Sequence, residues 1–183
     1  MDLHPDFLHI LSADGPWPPV RAYENLTRLA ATTPELAQRW QTHLVEKHPD
    51  ASPQQLNDLF NGLSYQDTAV FIDYLLEKLL SYDTASFPAV FALIEQLLGC
   101  DDHRTEELTS LGLLEGLQNR LIAASLDQHT AFDAWLLPAS KATWDALNAS
   151  WDELSNHQQS QRRLYGQPPP LKEAPKTGPA TPQ

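Results

Sequence analysis

Few side chains here have chemical capability beyond solvation: seven histidines, one cysteine and 24 carboxylates in a chain of 183 residues. The histidines are His4, His9, His43, His48, His103, His129 and His157. None stands with another His, Cys or carboxylate at a convincing zinc spacing on one helix face, so no metal site is expected. The run Cys100-Asp101-Asp102-His103 contains ligand types. Four consecutive residues cannot all converge on one ion, however, and the run reads as a polar loop whose acids sit near a helix N-terminus. Cys100 would act as a nucleophile only if folding brought a His and an acid to it; beside apolar neighbours it reads as small core filler. The sequence contains no G-x-S-x-G, P-loop, dinucleotide, H-E-x-x-H or EF-hand pattern, and seven glycines leave little material for loops that cradle phosphate. Neither enzymatic activity nor a cofactor is expected.

Charge is the more informative property. Twelve basic residues against 24 acidic ones give a formal net charge of -12, which repels phosphate backbones and anionic lipid surfaces. Nucleic-acid and membrane binding are therefore not expected. Residues 64–119 hold ten acids and two bases, Lys78 and Arg104, and so carry -8 of that total. If the helices here turn their apolar stripes inward, the carboxylates are pushed outward onto one negative surface. Asp73, Glu77, Glu95, Asp101, Asp102, Glu106, Glu107 and Glu115 are the pool from which contacts to a cationic partner would come.

The elements that position these residues are helical. Leu supplies 30 residues and Ala 20, against eight for Val and Ile together, which favours helix over strand. Helices are expected from 20 to 31, from 34 to 48 behind Thr33-Pro34, and from Ser52-Pro53 to near Asn61-Gly62. Ser64 and Asp67 resemble a capping box before the strongest helix, where Phe71, Ile72, Leu75, Leu76, Leu79 and Leu80 form the stripe. Ser86 should cap the next, pairing with its predecessor and closing at Gly99. Residues 103–124 read as a helix kinked near Gly112, with the Gly112/Gly116 spacing allowing close backbone approach. A last helix follows Pro138 with Ser140 as cap, and Trp144, Leu147, Trp151 and Leu154 as its apolar edge.

The expected fold is all-α: an irregular stack of antiparallel helical hairpins like a short HEAT or armadillo array, or a compact bundle. It occupies residues 1–166 as one domain, with 167–183 a disordered tail holding six prolines in 17 residues. In the DGPWPP entry at 14–19, Trp17 reads as a ring that packs an N-terminal segment onto the first helices. One cysteine and the absence of a signal-like or long apolar stretch point to a cytoplasmic protein.

The stretch LIEQLLGCDDHRTEELTSLGLLEGLQNRL (93–121), followed by LPASKATWDALNASWDEL (137–154), resembles a family of small acidic all-helical bacterial proteins encoded beside polymorphic toxins and regarded as immunity proteins. Gly112 to Asn119 is its most characteristic piece. The resemblance implies binding to, and neutralisation of, a cognate toxin domain, with the acidic surface serving if that toxin is basic. The alternative is a helical scaffold or secretion adaptor that carries an effector without inhibiting it. Gln118 and Asn119 are read as satisfying backbone groups at a helix boundary rather than as partner contacts.

Overall fold

The computed structural model describes residues 21–58 and 62–165, with side chains up to residue 153. The DGPWPP entry with Trp17 and the proline-rich tail lie outside the described residues. Helix α1 spans Ala22–Ala30, α2 Pro34–Lys47, α3 Pro53–Asn57, α4 Ala69–Leu80 and α5 Phe87–Leu98. A single long helix then runs as α6 (His103–Glu107), a π-helical segment (Leu108–Glu115) and α7 (Gly116–Ala123), and α8 covers Pro138–Tyr165. The described residues are helices joined by loops, and none of these helices is long and apolar enough to cross a membrane. Contacts divide the chain into two compact units, up to Asn148 and from Ala149 onward. All side-chain interactions below belong to the first.

Local chemistry sets the boundaries. Thr33 Oγ1 accepts the Leu36 N–H at 3.1 Å with Pro34 in the first turn, so α2 starts where a capping residue and a pre-set φ coincide. Ser52 and Gln55 form a reciprocal capping box at α3. That helix ends at Asn57 rather than near Gly62, because Asp58 turns extended (φ -65°, ψ 133°). The Asn57 side chain instead accepts the Tyr23 N–H, at 3.0 Å, in the first turn of α1. Ser86 departs from its expected role: its hydroxyl meets the Tyr74 hydroxyl at 3.0 Å and makes no cap bond to α5.

Packing is mostly between helices distant in sequence. Helix α4 lies against α2, α7 and the π segment, while α5 lies against α1, α6 and the π segment. The expected α4–α5 hairpin is therefore not a main contact. Around the long helix, Leu26, Leu29, Leu36, Trp40, Phe71, Leu75, Ile94, Leu113, Leu114 and Leu117 are buried. One end is closed by aromatic rings, with Trp135 edge-on to Phe87 at 4.8 Å between centroids and Trp144 edge-on to Phe132 at 5.9 Å. Leu80 falls off the expected stripe and is exposed, since α4 turns Phe71, Ile72, Tyr74 and Leu75 inward.

At Gly112 the expected kink is instead a widening of the helix to i→i+5 bonding. Thr109 donates its hydroxyl to the Thr105 carbonyl at 2.7 Å, and Ser110 to the Glu106 carbonyl at 2.8 Å, so side chains serve carbonyls just where the register changes. Two glycines let this helix approach Thr68 and the first turn of α4. A Cβ at Gly112 would stand 3.0 Å from Thr68 Cγ2, and one at Gly116 would stand 2.6 Å from Ile72 Cδ1. Thr68 cannot yield easily, because it is buried and its hydroxyl bonds the Tyr65 carbonyl at 2.7 Å. Gly112→Ala should therefore cost about 1–3 kcal/mol of stability, measured by urea unfolding, whereas the exposed glycine Gly99, with no neighbour closer than 3.9 Å, should tolerate the same change.

Candidate functional site

The eight acids chosen from sequence do not form one sheet of uncompensated charge. Asp102 is buried, accepts the Arg21 N–H at 3.2 Å and the Arg104 N–H at 3.3 Å, and holds the Thr105 hydroxyl; it caps α6 and ties it to the start of α1. Glu95 accepts the Ala139 and Ser140 N–H groups at 2.6 and 2.8 Å and the Ser140 hydroxyl at 2.9 Å. This carboxylate, 44 residues away from Ala139 in sequence, caps α8 in the place expected of Ser140. Burial pushes Glu95 up, but those donors hold it below the ordinary glutamate value.

Three more are paired. Glu77 meets Arg39 at 2.9 Å, Asp73 meets Arg120 at 3.4 Å, and Glu107 meets Arg104 at 2.8 Å and the Tyr65 hydroxyl. The Tyr65 hydroxyl and then Arg104 hold Glu107 below its ordinary value. Arg39 and Arg120 lie outside the acid-rich section 64–119, which is why its local charge overstates the field at its surface. Asp101, Glu106 and Glu115 remain, the first two exposed and the third half-buried, with no ion-pair partner among the described residues. Cys100 donates its thiol to the Leu97 carbonyl at 3.0 Å, and burial raises its pKa, the reverse of what a nucleophile needs.

A groove of about 490 Å³ opens where the π segment passes Tyr65 and α4. Gly112 and Gly116 form part of its lining, Tyr65, Ile72 and Leu111 supply apolar surface, and Gln66, Glu115, Asn119 and Arg120 supply polar groups. Tyr65 is 46% exposed and Leu111 44%, so both present apolar surface to the groove. Gln118, next to Asn119, faces the other way: it is buried and donates to the Trp144 carbonyl at 3.0 Å, the backbone-satisfying role read from sequence. Asn119 is exposed on the groove instead.

Sequence spacing missed one constellation. His43 near the end of α2 and His48 at its C-cap both direct Nε2 at Asp67 Oδ1, at 2.8 and 3.0 Å. The three ligand-type atoms lie within 4.8 Å of one another, a grouping drawn from two segments that spacing along one helix face did not announce. Lys47 Nζ reaches the same oxygen at 3.4 Å. The other oxygen, Oδ2, accepts the Ser64 N–H at 2.6 Å and the Ser64 hydroxyl at 2.8 Å. The Ser64/Asp67 pairing read as a capping box thus exists in its Asp-to-Ser64 half, while the Ser64 hydroxyl donates to the carboxylate and α4 begins later, at Ala69. Asp67 is fully buried. Burial alone would raise its pKa, but the Ser64 N–H, the His48 and His43 rings and the Ser64 hydroxyl hold it well below the usual carboxylate range. A His-x4-His spacing spanning a helix end was the only local hint, and a helical face cannot read it, because His48 has already left the helix.

The model of a family described as a domain of unknown function, DUF7674, matches residues 26–152. The chain belongs to the DUF7674 family. The matched region of this DUF7674 chain includes the glycine-lined groove and the His43, His48 and Asp67 cluster. No curated protein and no solved structure matches the chain.

Two outcomes follow from these carboxylates. Since the folded Asp67 is harder to protonate than the unfolded one, its contribution is fully present above about pH 5 and declines as pH falls through about 4 and below. Asp67→Asn should cost about 2–3 kcal/mol at neutral pH and flatten the acid limb of the stability profile. Glu95→Ala should cost about 1–2 kcal/mol by unpairing the first turn of α8, seen as a lower urea midpoint.

Proposed function

We propose that this DUF7674 chain is an immunity protein that binds a cognate, basic bacterial toxin domain and neutralises it stoichiometrically. The observation that carries the reading is the groove over the Gly112–Asn119 segment, the same segment that carries the resemblance to immunity proteins. A partner side chain or loop entering the groove meets exposed Tyr65 and Leu111 beside Glu115 and Asn119. Tyr65 is held by Glu107, and the Arg104 guanidinium sits 5.6 Å from the ring centroid, so the ring is pre-positioned.

Charge gives the partner its sign. The chain carries -12 overall, and Asp101, Glu106 and Glu115 keep unneutralised charge on the long helix and its approach. Glu77 and Asp73 contribute less, since each already has an arginine; exposed pairs of this kind are worth about 0–1 kcal/mol and can be exchanged for a partner's cation. Asp102 and Glu95 belong to the scaffold and should not be counted among the contacts. A stoichiometric inhibitor needs no catalytic groups of its own, only a surface that outcompetes substrate for the toxin's site.

Co-expression with the toxin encoded beside this gene tests the reading: growth should be rescued by the wild-type chain and not by Tyr65→Asp combined with Leu111→Asp. Reversing Asp101, Glu106 and Glu115 to Lys should slow association at low salt about tenfold or more, and leave it little changed at high salt. A stable complex in which the toxin stays active would select the adaptor alternative, and no complex at all would remove both.

A further inference from the structure

We propose that His43, His48 and Asp67 form a binding site for a first-row divalent transition-metal ion such as zinc. The ligand atoms are the two Nε2 nitrogens and Asp67 Oδ1. In a tetrahedral zinc site with bonds near 2.0 Å, neighbouring donor atoms stand about 3.3 Å apart. To admit the ion, the present contacts of 2.8 and 3.0 Å open by a few tenths of an ångström, and the two Nε2 atoms, now within 4.8 Å of each other, draw together by up to about 1.5 Å through rotation of the rings. Two imidazoles and one carboxylate suit zinc and its neighbours, whereas calcium and magnesium favour sites made of oxygen alone.

The surroundings behave as an outer shell should. Ser64 engages only Oδ2 of Asp67 through its N–H and hydroxyl, leaving Oδ1 aimed at the rings. Trp40, fully buried, stacks on the His43 ring at 5.8 Å with 15° between planes and fixes its orientation. The carboxylate is sealed from solvent, while the His43 and His48 side chains are 20% and 18% exposed, so the ion has an entry on the ring side. Lys47 now supplies a cation to Oδ1 from 3.4 Å, on a flexible side chain 35% exposed. It is the group an incoming ion would displace.

Proton balance is simple. Without metal, each ring donates Nε2–H to Oδ1; with metal, each neutral imidazole carries its proton on Nδ1 and offers the Nε2 lone pair. Each ring keeps its one proton and only changes which nitrogen bears it, so the exchange balances. The cluster shares no residue with the groove, and the proposal stands or falls separately from the immunity reading.

The test uses the full chain after chelator treatment, titrated with Zn²⁺ by calorimetry and with Co²⁺ by visible absorption. One equivalent should bind, with the intense d–d bands of four- or five-coordinate Co²⁺. His43→Ala and His48→Ala should each weaken binding by about tenfold or more, His103→Ala should not change it, and Lys47→Met should tighten it. Zinc should also raise the melting temperature of the wild type but not of the His43/His48 double variant. Absence of stoichiometric binding, or binding that survives in the double variant, would overturn the proposal and leave the cluster as a hydrogen-bonded tie. Lys47→Met guards against a folding artefact, because it removes no ligand.

Discussion

The close approach of the π-widened helix to Thr68 and the first turn of α4 is the constraint on which the rest of the structure depends. Gly112 and Gly116 make it sterically allowed, and Thr68 and Ile72 fill the space where their Cβ atoms would be. The residues N-terminal to that contact hold Asp67 under the end of α2, and those C-terminal to it continue α4, which packs on α2 and α7. The groove and the His–Asp cluster thus flank one contact. A side chain added at Gly112 would disturb Thr68, whose hydroxyl grips the Tyr65 carbonyl, and so would reach the groove wall directly.

Acidic residues serve this molecule in two different ways. Each helix N-terminus presents unpaired N–H groups that need acceptors, and Asp102 and Glu95 meet that need across long stretches of chain. Such carboxylates are consumed by the fold: their charge is met by N–H dipoles, and moving them would unpair a helix end. Asp101, Glu106 and Glu115 are not consumed in this way, and they are the ones whose charge a partner would feel. The distinction is one of geometry, since an aspartate capping a helix and an aspartate facing water are written with the same letter. Asp101 and Asp102, adjacent in sequence, fall on opposite sides of it.

How much was legible follows the range of the interactions concerned. Thr33-Pro34 and Ser52-Pro53 announced helix starts because a cap and its acceptor bond lie within three residues. The glycine pair announced close approach because lacking a Cβ is a property of the residue itself. Ser86 misled, since its hydroxyl found Tyr74, whereas the Ser140 hydroxyl does accept the Leu137 N–H at the start of α8 and shares the helix end with Glu95, which takes the Ala139 and Ser140 N–H groups. The width of the π turn was not legible: the helix lies there against Thr68 and Ile72, each 44 positions from the glycine it meets, and no local pattern announces that contact.

By itself the sequence determined the all-helical class, most helix positions and the sign of the net charge, because periodicity, caps and composition act over a turn or two of chain. Tertiary structure alone decided which carboxylates are scaffold and which are surface, by bringing Arg39, Arg120 and distant helix ends to them. It also decided that His43, His48 and Asp67 meet, since their atoms converge only when α2 ends against the segment that precedes α4. A bond between residues 24 apart depends on how two helices pack, and no local pattern encodes that.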